Sequence, residues 1–157
     1  MKRNTKAAAL AAAAALLWPA VVGLATARGS TVRFDDITEW VGSGENEAAL
    51  VIDWNDGLMD PAVPDVWGYR FSGTATGEDM LLGVVQQIDT LYAKIGAAGT
   101  YGTPIYGLGQ DRDEDGFAIT DGSTFDSQGI AVTDSGNADG ATAVDPDDSY
   151  GEGWFTG

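Results

Sequence analysis

The sequence of 157 residues contains no cysteine and no histidine. Without these side chains the chain cannot form a disulfide, a thiol nucleophile, a Cys/His zinc site or a Ser-His-Asp triad. Positive charge is also scarce, because only eight Lys and Arg residues accompany 24 Asp and Glu residues. The chemistry that remains is that of oxygen atoms from carboxylates, hydroxyls, amides and backbone carbonyls.

The first 27 residues differ in composition from the rest of the chain. They hold three basic residues, then an uncharged run over residues 7–27, and no acidic residue. A basic start, an apolar stretch and a small-residue end, here Ala25-Thr26-Ala27, are typical of a secretory signal peptide. The alternative is an uncleaved anchor, since about 18 to 20 apolar residues can span a bilayer. We expect cleavage before Arg28, export, and no stable membrane insertion afterwards.

Residues 28–157 carry five basic and all 24 acidic residues, which gives a net charge of −19. Such a surface repels nucleic-acid phosphates and attracts cations, so we expect no nucleic-acid partner. The length suits a single domain, and four Trp, five Tyr and five Phe residues argue against a disordered acidic chain. The apolar pair Trp154-Phe155 follows an acidic loop at the end of the sequence, which suggests a chain truncated at its C-terminus.

Several apolar runs predict strands. Residues 48–54 are the most apolar, with three contiguous aliphatic side chains, which is typical of a strand covered on both faces or at least of one deep in the core. Residues 66–71 alternate aromatic side chains with small or charged ones, the period of a half-buried strand. Further strands are predicted at 32–40, 103–108, 117–120 and 129–133.

One helix is predicted after Thr76. Thr76 and Asp79 match the Ser/Thr-x-x-Asp/Glu capping pattern, and apolar residues recur at three- and four-residue spacing over residues 80–95. Lys94 and Gly96 would supply a cationic last turn and a stop. This order predicts an α+β fold with one helix packed across a mostly antiparallel sheet, β-grasp-like in arrangement; a β-sandwich with a helical insert is the alternative.

One loop carries a specific chemical motif, Asp111-Arg112-Asp113-Glu114-Asp115-Gly116. Calcium takes about six to eight oxygen ligands, and alternate Asp residues followed by a turn-forming Gly can wrap such a shell. The predicted ligands are Asp111, Asp113, Asp115, the carbonyl of Phe117, and Asp121 or Asp126.

The loop does not match a complete EF-hand. The twelfth position of such a loop is acidic, whereas here it is Gly122, and the flanking residues resemble strands rather than helices. We therefore predict a calcium loop that joins two strands. The alternative is a solvated acidic turn, and magnesium is less favoured because it retains its waters.

Two other acidic segments have weaker patterns. Asp145-Pro146-Asp147-Asp148 lacks the alternate spacing and the turn glycine, so it is interpreted as a solvated loop or as an extra ligand folding back to the first site. The segment from Asp53 to Gly57 resembles part of a metal loop, but its Asn-Asp-Gly sequence is a common hairpin turn.

Two alternative functions follow from the remaining side chains. Paired carboxylates could hydrolyse glycosides, with Glu39, Asp53 and Glu78 as candidates, although 24 acids make some close pair inevitable. Aromatic side chains could form a platform for a carbohydrate or another small ligand, although such side chains more often pack in a core. The aromatic candidates are Trp40, Trp54, Trp67, Tyr69, Tyr101 and Tyr106.

Four stretches, taken in order, resemble a set of uncharacterised bacterial exported proteins, many of which carry a C-terminal exosortase sorting signal of the PEP-CTERM type. The stretches are residues 50–57, 66–71, 73–81 and the loop from Asp111 to Gly116. The resemblance spans about residues 40–154 and implies export and surface display rather than a reaction. The sorting tail of that set does not follow Trp154, which departs from the pattern.

These observations together predict an exported, non-enzymatic, acidic surface or matrix protein with a loop stabilised by Ca²⁺. The expected location is the secreted fraction or the bacterial cell surface. Its expected partner is a polysaccharide or another surface protein.

Overall fold

The computed structural model describes residues 32–55, 57, 63–133 and 140–153. The predicted signal peptide and the C-terminal Trp-Phe pair lie outside these residues.

Three strands near the start of the chain form one sheet. They are β1 (Trp40–Gly42), β2 (Asn46–Ile52) and β3 (Asp65–Phe71), in the order β1-β3-β2. β1 runs parallel to β3, and β2 runs antiparallel to it. The strands predicted at 48–54 and 66–71 are confirmed. The strand predicted at 32–40 is wrong, because this segment contains a 3₁₀ turn (Phe34–Asp36) and only the first residue of β1.

A nine-residue helix, α1 (Gly77–Val85), begins at the predicted cap. The hydroxyl of Thr76 accepts a hydrogen bond from the Asp79 amide at 3.1 Å. The Asp79 carboxylate in turn accepts from the Thr76 amide at 2.8 Å. These reciprocal bonds satisfy two amides at the free end of the helix, and they lower the pKa of the Asp79 carboxyl.

The predicted continuation of this helix to Ile95 is wrong. The helix ends at Val85, and β4 (Leu91–Ile95) follows after a turn. β4 lies between two other strands, so four of its five residues are buried, including Lys94. A short strand buried on both faces and a helix stripe give the same local spacing of apolar residues, which explains the error.

The second sheet has four strands in the order β6-β4-β5-β7. The strands added to β4 are β5 (Ile105–Gln110), β6 (Ile130–Val132) and β7 (Ser149–Glu152). β5 runs antiparallel to both β4 and β7, and β6 runs parallel to β4. The strands predicted at 103–108 and 129–133 are confirmed, whereas β7 was not predicted.

The α+β fold class is confirmed, but the strands form two sheets rather than one. Both sheets are mixed, and one core of buried side chains joins them to α1. Its most buried members come from the helix end and β4, at Val84, Val85, Leu91 and Ala93. β2 is covered on one face rather than on both, because Leu50 is buried in the core whereas Val51 is 47% exposed.

The cap of α1 gives a direct stability prediction. Replacing Thr76 with Ala removes the acceptor for the Asp79 amide, so we expect a loss of about 1 kcal/mol in the free energy of unfolding. Chemical denaturation of both proteins measures this difference. A neighbouring hydroxyl outside the cap, Thr74→Ala, is the control and should change stability much less. Equal losses in the two variants would contradict the role of the cap.

Candidate metal site

The register of the second sheet brings two acidic segments together. Gln110, the last residue of β5, pairs with Ser149, the first residue of β7. Asp111 directly follows β5 and Asp148 directly precedes β7, so the two residues lie at the same end of this strand pair. Further along, Ile119 forms an antiparallel bridge to Ala143. The loop 111–117 and the segment 145–148 are thus held side by side by strand pairing at both ends.

Two aromatic rings lie against β5 because its glycines leave space for them. A Cβ at Gly109 would stand 2.1 Å from Cζ of Phe117, and a Cβ at Gly107 would stand 2.2 Å from the hydroxyl of Tyr150. The ring of Phe117 also stacks on Tyr92, with 4.4 Å between the ring centroids. These close contacts anchor the residue that follows the acidic loop to the face of the sheet.

Asp111 organises the loop. Its side chain is buried, and its two carboxylate oxygens accept hydrogen bonds from the amides of Glu114 at 2.7 Å and Gly116 at 3.0 Å. Both donors have positive φ, 62° at Glu114 and 120° at Gly116. Glycine adopts such values without the steric cost that a Cβ brings. The motif's terminal glycine therefore allows the chain to fold back over Asp111.

The loop gathers the three alternate aspartates. Asp111, Asp113 and Asp115 each place an oxygen within 4.8 Å of the others. The pKa of the Asp115 carboxyl is raised, first by the charge of Asp113, then by burial and by the charges of Asp145 and Asp111. This repulsion destabilises the ionised loop, and a bound cation would relieve it.

Asp148 lies beside this loop, although its oxygens are not among those within 4.8 Å of one another. It is only 5% exposed, and its Oδ1 accepts a hydrogen bond from the Arg112 amide within the loop at 3.0 Å. Its Oδ2 is buried and has no hydrogen-bond partner among the described residues. Burial raises the pKa of Asp148, and the charges of Asp111, Asp145 and Asp113 add to this, against the lowering effect of the Arg112 bond.

The one cationic side chain of the loop, Arg112, contacts residues outside the loop. Arg112 Nε donates to the hydroxyl of Ser149 at 2.6 Å, and its guanidinium lies 3.8 Å from Asp65 on β3. Asp65 also accepts from the indole of Trp54 at 2.8 Å. Arg112 therefore links the loop to the first sheet.

The other predicted ligands have different surroundings. Asp121 accepts hydrogen bonds from Lys94 and from the amide of Ser123, so both of its oxygens are engaged. Asp126 accepts from the amides of Gln128 and Ile130, which closes a turn before β6. The structure brings the three alternate aspartates together and does not group Asp121 or Asp126 with them.

The ionic cluster around Lys94 was not predicted from the sequence. Its Nζ lies 2.5 Å from Asp121 Oδ2 and 3.2 Å from Glu152 Oε1. The side chains of Lys94, Asp121 and Glu152 are only 3%, 10% and 5% exposed, respectively. The isolated lysine in the apolar run of residues 91–95 was the available signal, because a buried strand tolerates a lysine only when it is paired.

Hydrogen bonding overcomes burial in this cluster. Burial alone would lower the pKa of Lys94, but its bonds to Asp121 and Glu152 raise it. Burial alone would raise the pKa of Asp121, but its bonds from Lys94 and Ser123 lower it. Of the protonation states of the two groups, the charged pair is therefore favoured over the neutral pair.

The glycosidase candidates line three different clefts. Glu39 lines a cleft of about 610 Å³ beside the acidic loop. Asp53 lines a cleft of about 330 Å³ between β2 and β5, and Glu78 lines a cleft of about 640 Å³ beside α1. The three carboxylates thus do not share a cleft.

The aromatic candidates do not form one continuous platform. Trp67 is 5% exposed and belongs to the core, while Trp54 is partly buried against it. Tyr101 is fully exposed in a turn between β4 and β5. Tyr69 stacks on Phe71, with 5.8 Å between the ring centroids, at the cleft beside α1.

Comparisons of the chain with protein-family models, with curated proteins and with solved structures gave no match. A search of the described part of the chain also found no helix with the length and apolar character needed to cross a membrane.

Proposed function

We propose that this chain is an exported, non-enzymatic domain that binds one Ca²⁺ ion between its two acidic segments. The observation that carries the proposal is the buried Oδ2 of Asp148, which lacks a partner beside three clustered aspartates. A buried anionic oxygen without a partner costs free energy. A cation at this position would remove that cost.

The donor set suits calcium. Asp111, Asp113, Asp115 and Asp148 supply only hard oxygen atoms, and each oxygen keeps a second lone pair beside any hydrogen bond it accepts. The carbonyl of Phe117 remains a proposed ligand. Asp148 takes the place that the sequence pattern assigned to Asp121, because Asp121 is engaged by Lys94.

The proposed ion would stabilise the pairing of β7 with the rest of the sheet. β7 is an edge strand, held by β5 on one side only, and the segment 145–148 leads directly into it. An ion shared by Asp148 and the loop would join that segment to the end of β5. The domain would then be most stable in a calcium-containing extracellular medium, which fits a role in surface or matrix association with a polysaccharide or protein partner.

The proposal is tested by thermal unfolding in calcium and in chelator. An ion that binds only the folded chain adds about 2.7 kcal/mol of stability at a hundredfold excess over its dissociation constant. We therefore expect a clear rise in the melting temperature with calcium. Asp113→Ala should abolish the rise, whereas Asp147→Ala, an exposed acid in the adjacent segment, should retain it. Identical melting temperatures in calcium and chelator for the unmodified chain would refute the site.

A second candidate function is the binding of a carbohydrate or another small ligand in the cleft beside α1. The stacked pair Tyr69 and Phe71 borders this cleft together with hydroxyl and amide side chains, including Ser72 and Gln86. An apolar ring face beside hydrogen-bonding groups suits a sugar. Chemical-shift changes confined to these residues on titration with oligosaccharides would support this function, and the absence of shifts across a neutral oligosaccharide panel would count against it.

A further inference from the structure

The cluster of Lys94, Asp121 and Glu152 joins three segments that are distant in sequence. Lys94 lies in the central strand β4, Asp121 in the loop after the Ile119 bridge, and Glu152 in the edge strand β7. The amine and the nearer carboxylate are 27 residues apart and within hydrogen-bond distance. A salt bridge is one interpretation of this geometry, but the same atoms are also arranged for a covalent reaction.

We propose that Lys94 and Asp121 condense into an intramolecular isopeptide bond, with Glu152 carrying the protons. The Lys94 Nζ stands 2.5 Å from an oxygen of Asp121, so the carbonyl carbon lies one C–O bond further on. Reacting groups held together in this way behave as though present at very high concentration. The folded chain therefore supplies the proximity that the reaction needs.

Burial favours the amide over the ions. All three side chains are at least nine-tenths buried, and charged groups removed from water carry a desolvation penalty that a neutral amide avoids. Condensation replaces an ammonium and a carboxylate with one neutral amide and releases water from a site that excludes water. Both effects shift the equilibrium toward the bond in this position.

The reaction balances without any other reactant. A proton first passes from the Lys94 ammonium to the Asp121 carboxylate, which leaves a neutral amine. The amine nitrogen then attacks Cγ of protonated Asp121, so that a C–N bond forms and the carbonyl π electrons move to oxygen. The nitrogen loses its second proton to the ionised Glu152 carboxylate, which passes that proton to the hydroxyl on the former Cγ carboxyl. The carbonyl re-forms as the C–O bond breaks and water leaves, so one ammonium and one carboxylate become one amide and one water.

Hydrogen bonds hold the Glu152 carboxylate in position for these proton transfers. Its Oε1 lies 3.2 Å from Lys94 Nζ and accepts from the hydroxyl of Tyr150 at 3.1 Å, while its Oε2 accepts from the Gly140 amide at 3.0 Å. A carboxylate within hydrogen-bond reach of the reacting nitrogen can act as a general base and then as a general acid. The proposal assigns this role to Glu152.

The test is the intact mass of the purified, folded chain. The expected mass is below the calculated value by one water molecule. After denaturation and digestion, trypsin should fail to cleave after Lys94, and a peptide containing Lys94 should remain joined to one containing Asp121. A mass equal to the calculated value, with normal cleavage after Lys94, would overturn the proposal. This result does not depend on calcium, so it is separate from the test of the metal site.

Two variants distinguish the bond from other losses of water. Asp121→Asn should lose ammonia in place of water and reach the same final mass as the unmodified product, because the resulting amide is identical. Glu152→Gln should keep its full calculated mass and its cleavage after Lys94. Complete condensation in folded Glu152→Gln would overturn the assigned role of Glu152. If that variant does not fold, the masses of the unmodified and Asp121→Asn chains still decide whether the bond forms.

Discussion

Replacing Lys94 with Met is expected to lower the free energy of unfolding by about 3–5 kcal/mol. The methionine would fill the space of the aliphatic stem but would leave Asp121 and Glu152 as buried negative charges without their cation. Leaving a buried charge uncompensated is among the largest effects of a single substitution. Loss of an amide between Lys94 and Asp121 would add to the effect.

The matched control for this substitution is Arg70→Met. Arg70 pairs with Glu47 at 3.3 Å, but the two side chains are 45% and 46% exposed. Exposed pairs contribute about 0–1 kcal/mol because water and salt screen them. Urea denaturation of both variants measures the difference. A similar, small loss for Lys94→Met would show that the buried cluster does not stabilise the fold.

Replacing Asp148 with Asn is expected to change stability in opposite directions with and without calcium. In chelator, the substitution removes a buried negative charge beside Asp111 and Asp113, and the new amide can donate to those carboxylates. We expect a gain of about 1–3 kcal/mol, the usual cost of an unsatisfied buried group. In calcium, the variant lacks an anionic ligand and should lose most of the stabilisation that the ion gives the unmodified chain.

Denaturation curves for both proteins, each in calcium and in chelator, test whether the substitution stabilises the chain in chelator and reduces its stabilisation by calcium. Asp147→Asn is the control, since Asp147 lies in the same segment but is exposed. It should respond to calcium as the unmodified chain does. Destabilisation of Asp148→Asn in chelator would contradict the account, because the buried carboxylate would then be stabilising without an ion.

Local patterns predicted most of the fold, and tertiary position explains the errors. The capping box at Thr76 and the aromatic alternation of β3 depend on neighbouring residues, so the sequence revealed them. Leu91–Ile95 became a strand because it lies between β5 and β6, and no local pattern encodes that placement. β7 was missed for the same reason, since its short run gains its partner only from β5.

In the candidate site, too, the features set by neighbouring residues were predicted, and those set by tertiary position were not. The alternate aspartates and the turn glycine form one continuous motif, and the structure brings those three carboxylates together. Asp148 was only weakly indicated, because its approach depends on the pairing of Gln110 with Ser149. Lys94 was assigned to a helix end, and its burial beside Asp121 and Glu152 follows from the sheet topology.

The central claim is tested most directly by isothermal titration of the chelator-treated chain with calcium, in parallel with the Asp113→Ala and Asp147→Ala variants. The account predicts one bound ion per chain in the unmodified protein and in Asp147→Ala, and none in Asp113→Ala at the same concentrations. Absence of binding to the unmodified, folded chain would contradict it, as would equal binding to all three proteins.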